Sequence, residues 1–180
     1  INIKGISFRN KKGEVVHNVN ETPIVDLDSL PLPARDLLPM EKYEQTTFLS
    51  KKRCTSILTS RGCPYHCVYC STSEQWGHSI RHRSAKNVVY EIEFLLKEYP
   101  FFEGIRFFDD VFTMDKNRVL EICHEILKRK LKFVWECEAR VNTIDEEIVR
   151  EMKKAGCEFL DLGIESGSNF SGQFNVGQLV

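Results

Sequence analysis

No apolar run in this 180-residue sequence approaches the roughly 20 residues needed to cross a bilayer, and no basic segment followed by an apolar one opens it. An excess of one charge is missing too. The 25 Lys and Arg meet 26 Asp and Glu for a formal net charge of −1, whereas a dedicated nucleic-acid binder is usually strongly basic. Cysteine is too sparse for a disulfide scaffold, and its count of seven is odd. Membrane insertion, export and nucleic-acid binding are therefore not expected, and a reducing, cytoplasmic setting fits better. What remains is a globular composition, 28% charged and 42% hydrophobic, in one domain's worth of chain. The chain begins at Ile1 rather than Met, so it is expected to be a fragment with a domain upstream.

Residues 3–17 read as a hairpin turning through Asn10-Lys11-Lys12-Gly13. Between Asn18 and Lys52 the pattern dissolves. Pro23, Pro31, Pro33 and Pro39, four of the six prolines, fall there and argue for an extended connector with short helical turns at most. Strand-like runs follow at 55–59, 104–109, 132–138 and 158–164. Amphipathic stripes lie between them: Val88, Val89, Ile92, Leu95 and Leu96 behind a Ser84 cap; Val119, Ile122, Cys123, Ile126 and Leu127 behind Asp115; and Ile148, Met152 and Ala155 ended by Gly156. The later strands start about 26–28 residues apart, which suits repeated strand–helix units and a parallel sheet.

Sites in such sheets and barrels lie at the carboxyl ends of the strands. Four polar groups fall there: a cysteine cluster after the first strand, Asp109-Asp110, Glu138-Ala139-Arg140 and Glu165-Ser166-Gly167. Residues 171–180 carry no capped helix pattern where a repeat should continue, so the barrel is expected to be incomplete, about four units with an irregular tail.

Cys63, Cys67 and Cys70 form a C-x3-C-x2-C loop. Thiolates select zinc, copper or iron–sulfur clusters. Three so closely spaced can seat three irons of a cubane and leave the fourth iron open to a small molecule. A zinc site completed by His66, His78 or a remote Cys is the competing reading, and with it a binding module without chemistry. Cys54, Cys123, Cys137 and Cys157 read as small buried hydrophobes.

With Arg61-Gly62-Cys63-Pro64 ahead of it and Tyr69 before its last cysteine, this loop resembles the cluster motif of the radical S-adenosylmethionine (SAM) superfamily. The resemblance runs from Thr55 to Asn169. It implies an α/β fold, a partial TIM-like barrel over residues 53–170, and a 4Fe-4S cluster on the three cysteines. The open iron of such a cluster binds SAM, and one electron then cleaves it to methionine and a 5′-deoxyadenosyl radical, with an electron donor such as flavodoxin or ferredoxin. By the same resemblance Tyr69 lies near the adenine. Asp109 and Asp110 replace a Gly-Gly-Glu stretch that receives the SAM amino group, with only one of the pair expected to face inward. Glu165 and Ser166 meet the ribose and methionine carboxylate. Glu138 and Arg140 complete the rim, Arg140 facing either the SAM carboxylate or Glu138.

Residues 51–86 carry seven Lys and Arg against Glu74 alone, a local positive charge that would favour an anionic cluster and a carboxylate. The stretch Asp26-Leu27-Asp28-Ser29-Leu30-Pro31-Leu32-Pro33-Ala34-Arg35 resembles the join in cobalamin-dependent radical SAM proteins. That makes residues 1–52 the end of a cobalamin-binding domain, and implies methyl transfer, cyclisation or rearrangement on an unspecified substrate. A fragment of such an enzyme, inactive alone, is a third reading.

Overall fold

The computed structural model describes residues 2–164. Glu165, Ser166 and the tail at 171–180 lie outside the described residues. The hairpin is shorter than its sequence pattern, with β1 (Ser7–Arg9) antiparallel to β2 (Val15–His17). After the linker come β3 (Cys54–Ile57), β4 (Ser60–Arg61), α1 (Thr72–Trp76), β5 (Arg81–His82), α2 (Ala85–Glu98), β6 (Gly104–Phe107), α3 (Lys116–Lys128), β7 (Val134–Arg140), α4 (Glu146–Lys154) and β8 (Cys157–Gly163). The main sheet has the order β3-β6-β7-β8 and every pair is parallel. This is the parallel sheet that the strand–helix alternation predicts, open and consistent with the partial TIM-like barrel that the resemblance implies.

Side-chain alternation gives the sheet two unlike faces. Ile57, Ile105, Phe107, Trp135, Cys137 and Cys157 pack against Val88, Ile92 and Leu95 of α2, Val119, Ile122 and Ile126 of α3, and Ile148 and Met152 of α4. At the centre the Phe107 ring stacks on Phe112 at 4.4 Å and meets Trp135 edge-on at 5.1 Å, while Trp135 Nε1 donates to the Ala155 carbonyl at 2.9 Å. The other face carries Ser56, Arg106, Glu136, Glu138 and Asp161, a polar interior that runs up to the carboxyl rim.

Local signals place the helices. Ser84 and Asp115 cap α2 and α3 as expected, and Asp145 caps α4. Gly156 follows α4 with φ +98°, where a Cβ would stand 2.6 Å from the Phe133 carbonyl. Two strand ends differ from the sequence pattern for one reason. The runs at 55–59 and 104–109 stop early because the Asp109 carboxylate takes the N–H groups of Thr59 and Ser60. The chain then pairs again as β4 with β5, a two-residue ladder that no periodicity announces.

The linker is ordered by its own motif. Asp26 caps a short turn at Leu27–Ser29, Leu27 is buried, and Asp28 accepts from the N–H of Ser84 at 2.9 Å. Farther on, Thr46 bridges Arg53, the Phe48 ring stacks on Phe159 at 4.5 Å, and the Phe48 N–H donates to Glu136 at 2.7 Å.

Candidate functional site

The cysteine loop leaves the sheet through a tightly fixed neck. Asp109 is 1% exposed, and its two oxygens accept from the Thr59 N–H at 2.6 Å, the Ser60 N–H at 3.2 Å, the Ser60 hydroxyl at 2.9 Å and the Thr59 hydroxyl. Arg118 of α3 donates to the Thr59 carbonyl at 2.9 Å and to its hydroxyl. Ser60 and Arg61 then pair with His82 and Arg81. Gly62 follows with φ +96°, and a Cβ there would collide with the Ser79 carbonyl. The Cys63 N–H reaches the Gly77 carbonyl at 3.3 Å.

Beyond the neck, Cys63, Cys67 and Cys70 open onto one cavity of about 340 Å³ with Tyr69, Asp110, Glu138 and Arg140. The three thiols are free. Burial pushes the Cys63 thiol up, partly countered by a backbone hydrogen bond from Tyr65. The Asp110 carboxyl is likewise raised by burial, against a hydrogen bond from the Thr72 hydroxyl at 3.1 Å. Glu138 is raised by burial and then by Asp161, its partner in the strand register. Arg140 is 8% exposed, with its guanidinium 3.7 Å over the Tyr65 ring and Nη1 donating to Cys67 Sγ at 3.9 Å.

Several expectations change here. Asp109 is withdrawn as a cofactor ligand, since its side chain turns into the neck and does not line the cavity, whereas Asp110 does. His66 and His78, considered as zinc ligands, stack on each other at 3.9 Å and do not line it. The basic stretch does not surround it either. Lys52 pairs with Glu103 at 2.7 Å, Arg53 donates to the Tyr43 carbonyl, Arg81 to the Trp76 carbonyl, and Arg83 pairs with Glu91. Thr72 and Asp161 line the cavity without having been singled out; strand alternation through Gly163 is the signal that places Asp161 inward. The remaining cysteines behave as core residues, burial raising Cys54 to about 11 and Cys123 to about 12. No helix among the described residues is long and apolar enough to cross a membrane.

The chain that carries this cavity has relatives. The model of the radical SAM superfamily matches residues 57–178. An uncharacterized methyltransferase of Pyrococcus horikoshii is 38% identical over 166 residues, covering 92% of this chain and 35% of that protein. The anaerobic magnesium-protoporphyrin IX monomethyl ester cyclase of Rubrivivax gelatinosus is 34% identical over 171 residues, 92% of this chain and 29% of the cyclase. The chain thus spans about a third of the curated relatives it matches. Among solved structures, the cobalamin-dependent SAM radical enzyme OxsB, with aqua-cobalamin and SAM bound, superposes with a TM-score of 0.77 at 26% identity, over 96% of this chain and 25% of that one. By the extent of the family match and by these identities, the chain belongs to the radical SAM superfamily.

Proposed function

We propose that Cys63, Cys67 and Cys70 hold a 4Fe-4S cluster and that SAM binds beside it in the same cavity. The observation that carries this reading is the opening of three free thiols onto one pocket that also presents carboxylates and an arginine. The donor set fits: soft thiolates suit iron–sulfur clusters. Among the described residues no three His, Cys, Asp or Glu side chains converge on one ion, and a cubane asks for thiolates that each reach a separate iron. When bound, such a cluster supplies the single electron that cleaves SAM.

The chain's own residues bind and orient. Asp110, held by Thr72, receives the SAM ammonium through a charge-assisted hydrogen bond, and Glu138 adds negative charge on the same side. Arg140 offers its guanidinium to the carboxylate, and Tyr69 offers a ring face to the adenine. Glu165 and Ser166 are assigned to the ribose on the resemblance alone. Residues 1–52 are assigned to the end of an upstream cobalamin-binding domain on the resemblance of their linker, with methyl transfer, cyclisation or rearrangement as the outcome; the relatives' names, a methyltransferase and a cyclase, support the first two. A flavodoxin- or ferredoxin-type protein is the electron source proposed.

Anaerobic reconstitution tests this. A brown protein that forms 5′-deoxyadenosine from SAM with dithionite supports the proposal. A colourless protein retaining tightly bound zinc overturns it in favour of a non-catalytic module.

A further inference from the structure

We infer that Asp109 is a positioning residue: it fixes the neck from which the cysteine loop emerges and thereby sets where Cys63 stands. The inference rests on the cluster reading above for its consequence, but its geometry stands without iron. Four donors, two N–H and two O–H, converge on one carboxylate that is 1% exposed. They belong to Thr59 and Ser60, and Ser60 lies three positions before Cys63. The intervening chain has no slack. Arg61 is paired with Arg81, Gly62 abuts the Ser79 carbonyl, and the Cys63 N–H is held by Gly77.

The negative charge matters as well as the shape. Arg118 is buried, and its Nη2 already donates to the Thr59 hydroxyl, so that hydroxyl must pass its own proton to Asp109. An amide in place of the carboxylate presents N–H to the same hydroxyl and leaves one proton without an acceptor. It also removes a negative charge that, ahead of Asp115, favours the ionised form of a buried guanidinium against the burial that disfavours it. A shift at Thr59 and Ser60 therefore passes to the first cluster ligand, as supporting partners of metal ligands do elsewhere.

The test compares D109N with E136Q. Glu136 is a buried carboxylate of similar depth, bonded to the Phe48 N–H and outside the cavity lining. Two readouts are used on the whole chain: amide hydrogen exchange over residues 59–63 in the iron-free protein, and iron release to a chelator from the reconstituted one. D109N is expected to speed both on the order of ten-fold, with E136Q leaving both at the wild-type rate despite lowering the unfolding temperature. S60A, which removes one hydroxyl donor, gives a smaller acceleration and carries the test should D109N not fold. Equal behaviour of D109N and E136Q in exchange, or wild-type exchange in S60A, overturns the inference. A wild-type chain that takes up no iron sinks the cluster reading alone, because the exchange readout still decides the role of Asp109.

Discussion

Arg35 on the proline-rich linker lies 2.6 Å from Glu91 of α2, and the two side chains are 8% and 1% exposed. Arg83 reaches the other oxygen of the same carboxylate, and Arg35 Nη2 also donates to the Ser56 carbonyl at 3.2 Å. The linker is thus tied to β3, which precedes the cysteine loop, and to α2, which follows it. R35A leaves Glu91 with Arg83 as a partner, so its cost is expected near the lower end of the buried-pair range, about 3 kcal/mol at most. E91A takes the shared carboxylate from two guanidinium groups at once, the buried Arg35 and the half-buried Arg83, and costs more. Urea unfolding of the two variants checks the order; an E91A chain as stable as R35A contradicts it.

Asp110 and Asp109 are adjacent and are expected to fail differently. D110N keeps the neck and the thiols, so iron content stays at the wild-type level while SAM affinity falls on the order of ten-fold with the loss of a charge-assisted hydrogen bond. Titrating SAM into the reduced protein and following its electron paramagnetic resonance spectrum measures this. Unchanged affinity in D110N removes Asp110 from the ammonium site.

Arg140 offers a planar fork stacked on Tyr65, which a lysine cannot reproduce. R140K is expected to lower SAM affinity on the order of ten-fold with little loss of iron. Loss of iron with SAM affinity retained would instead assign Arg140 to Cys67 alone, and the same titration with an iron assay separates the two.

The acid limb of stability has a surface contributor. The Lys116 ammonium and the Ile148 N–H hold the Asp145 carboxyl below its ordinary value of 3.8. A carboxyl depressed in the folded state adds stability that is present above its unfolded pKa and lost as pH falls through the folded one. The gap between wild type and D145N in unfolding temperature is therefore expected to narrow below about pH 4. A gap that stays constant down to pH 2 contradicts this.

Much of this was legible in the sequence where the determinants are local. Ser84 and Asp115 cap N–H groups three residues on, and the Gly156 N–H closes onto the Lys153 carbonyl, so helix ends were readable from them. The cysteine spacing is local too. The facing of Asp109 and Asp110 was not readable, because alternation says that the two diverge and only Thr59 and Ser60, about fifty positions upstream, decide which way. The basic count between 51 and 86 misled because a sum along the chain is not a field in space: Arg83 is spent on Glu91 and Arg53 on backbone carbonyls and the Phe101 ring. The neck ladder of β4 and β5 joins segments about twenty residues apart through two residues each, too short for any period to reveal.

The central claim is that three particular thiolates carry the cluster, and counting iron and sulfide per chain after oxygen-free reconstitution tests it most directly. The account predicts a four-iron, four-sulfide complement in the wild type and in C157S, and its loss in C63S, C67S and C70S. Equal loss of iron in C67S and C157S, or a wild type that accepts neither iron nor sulfide, contradicts it.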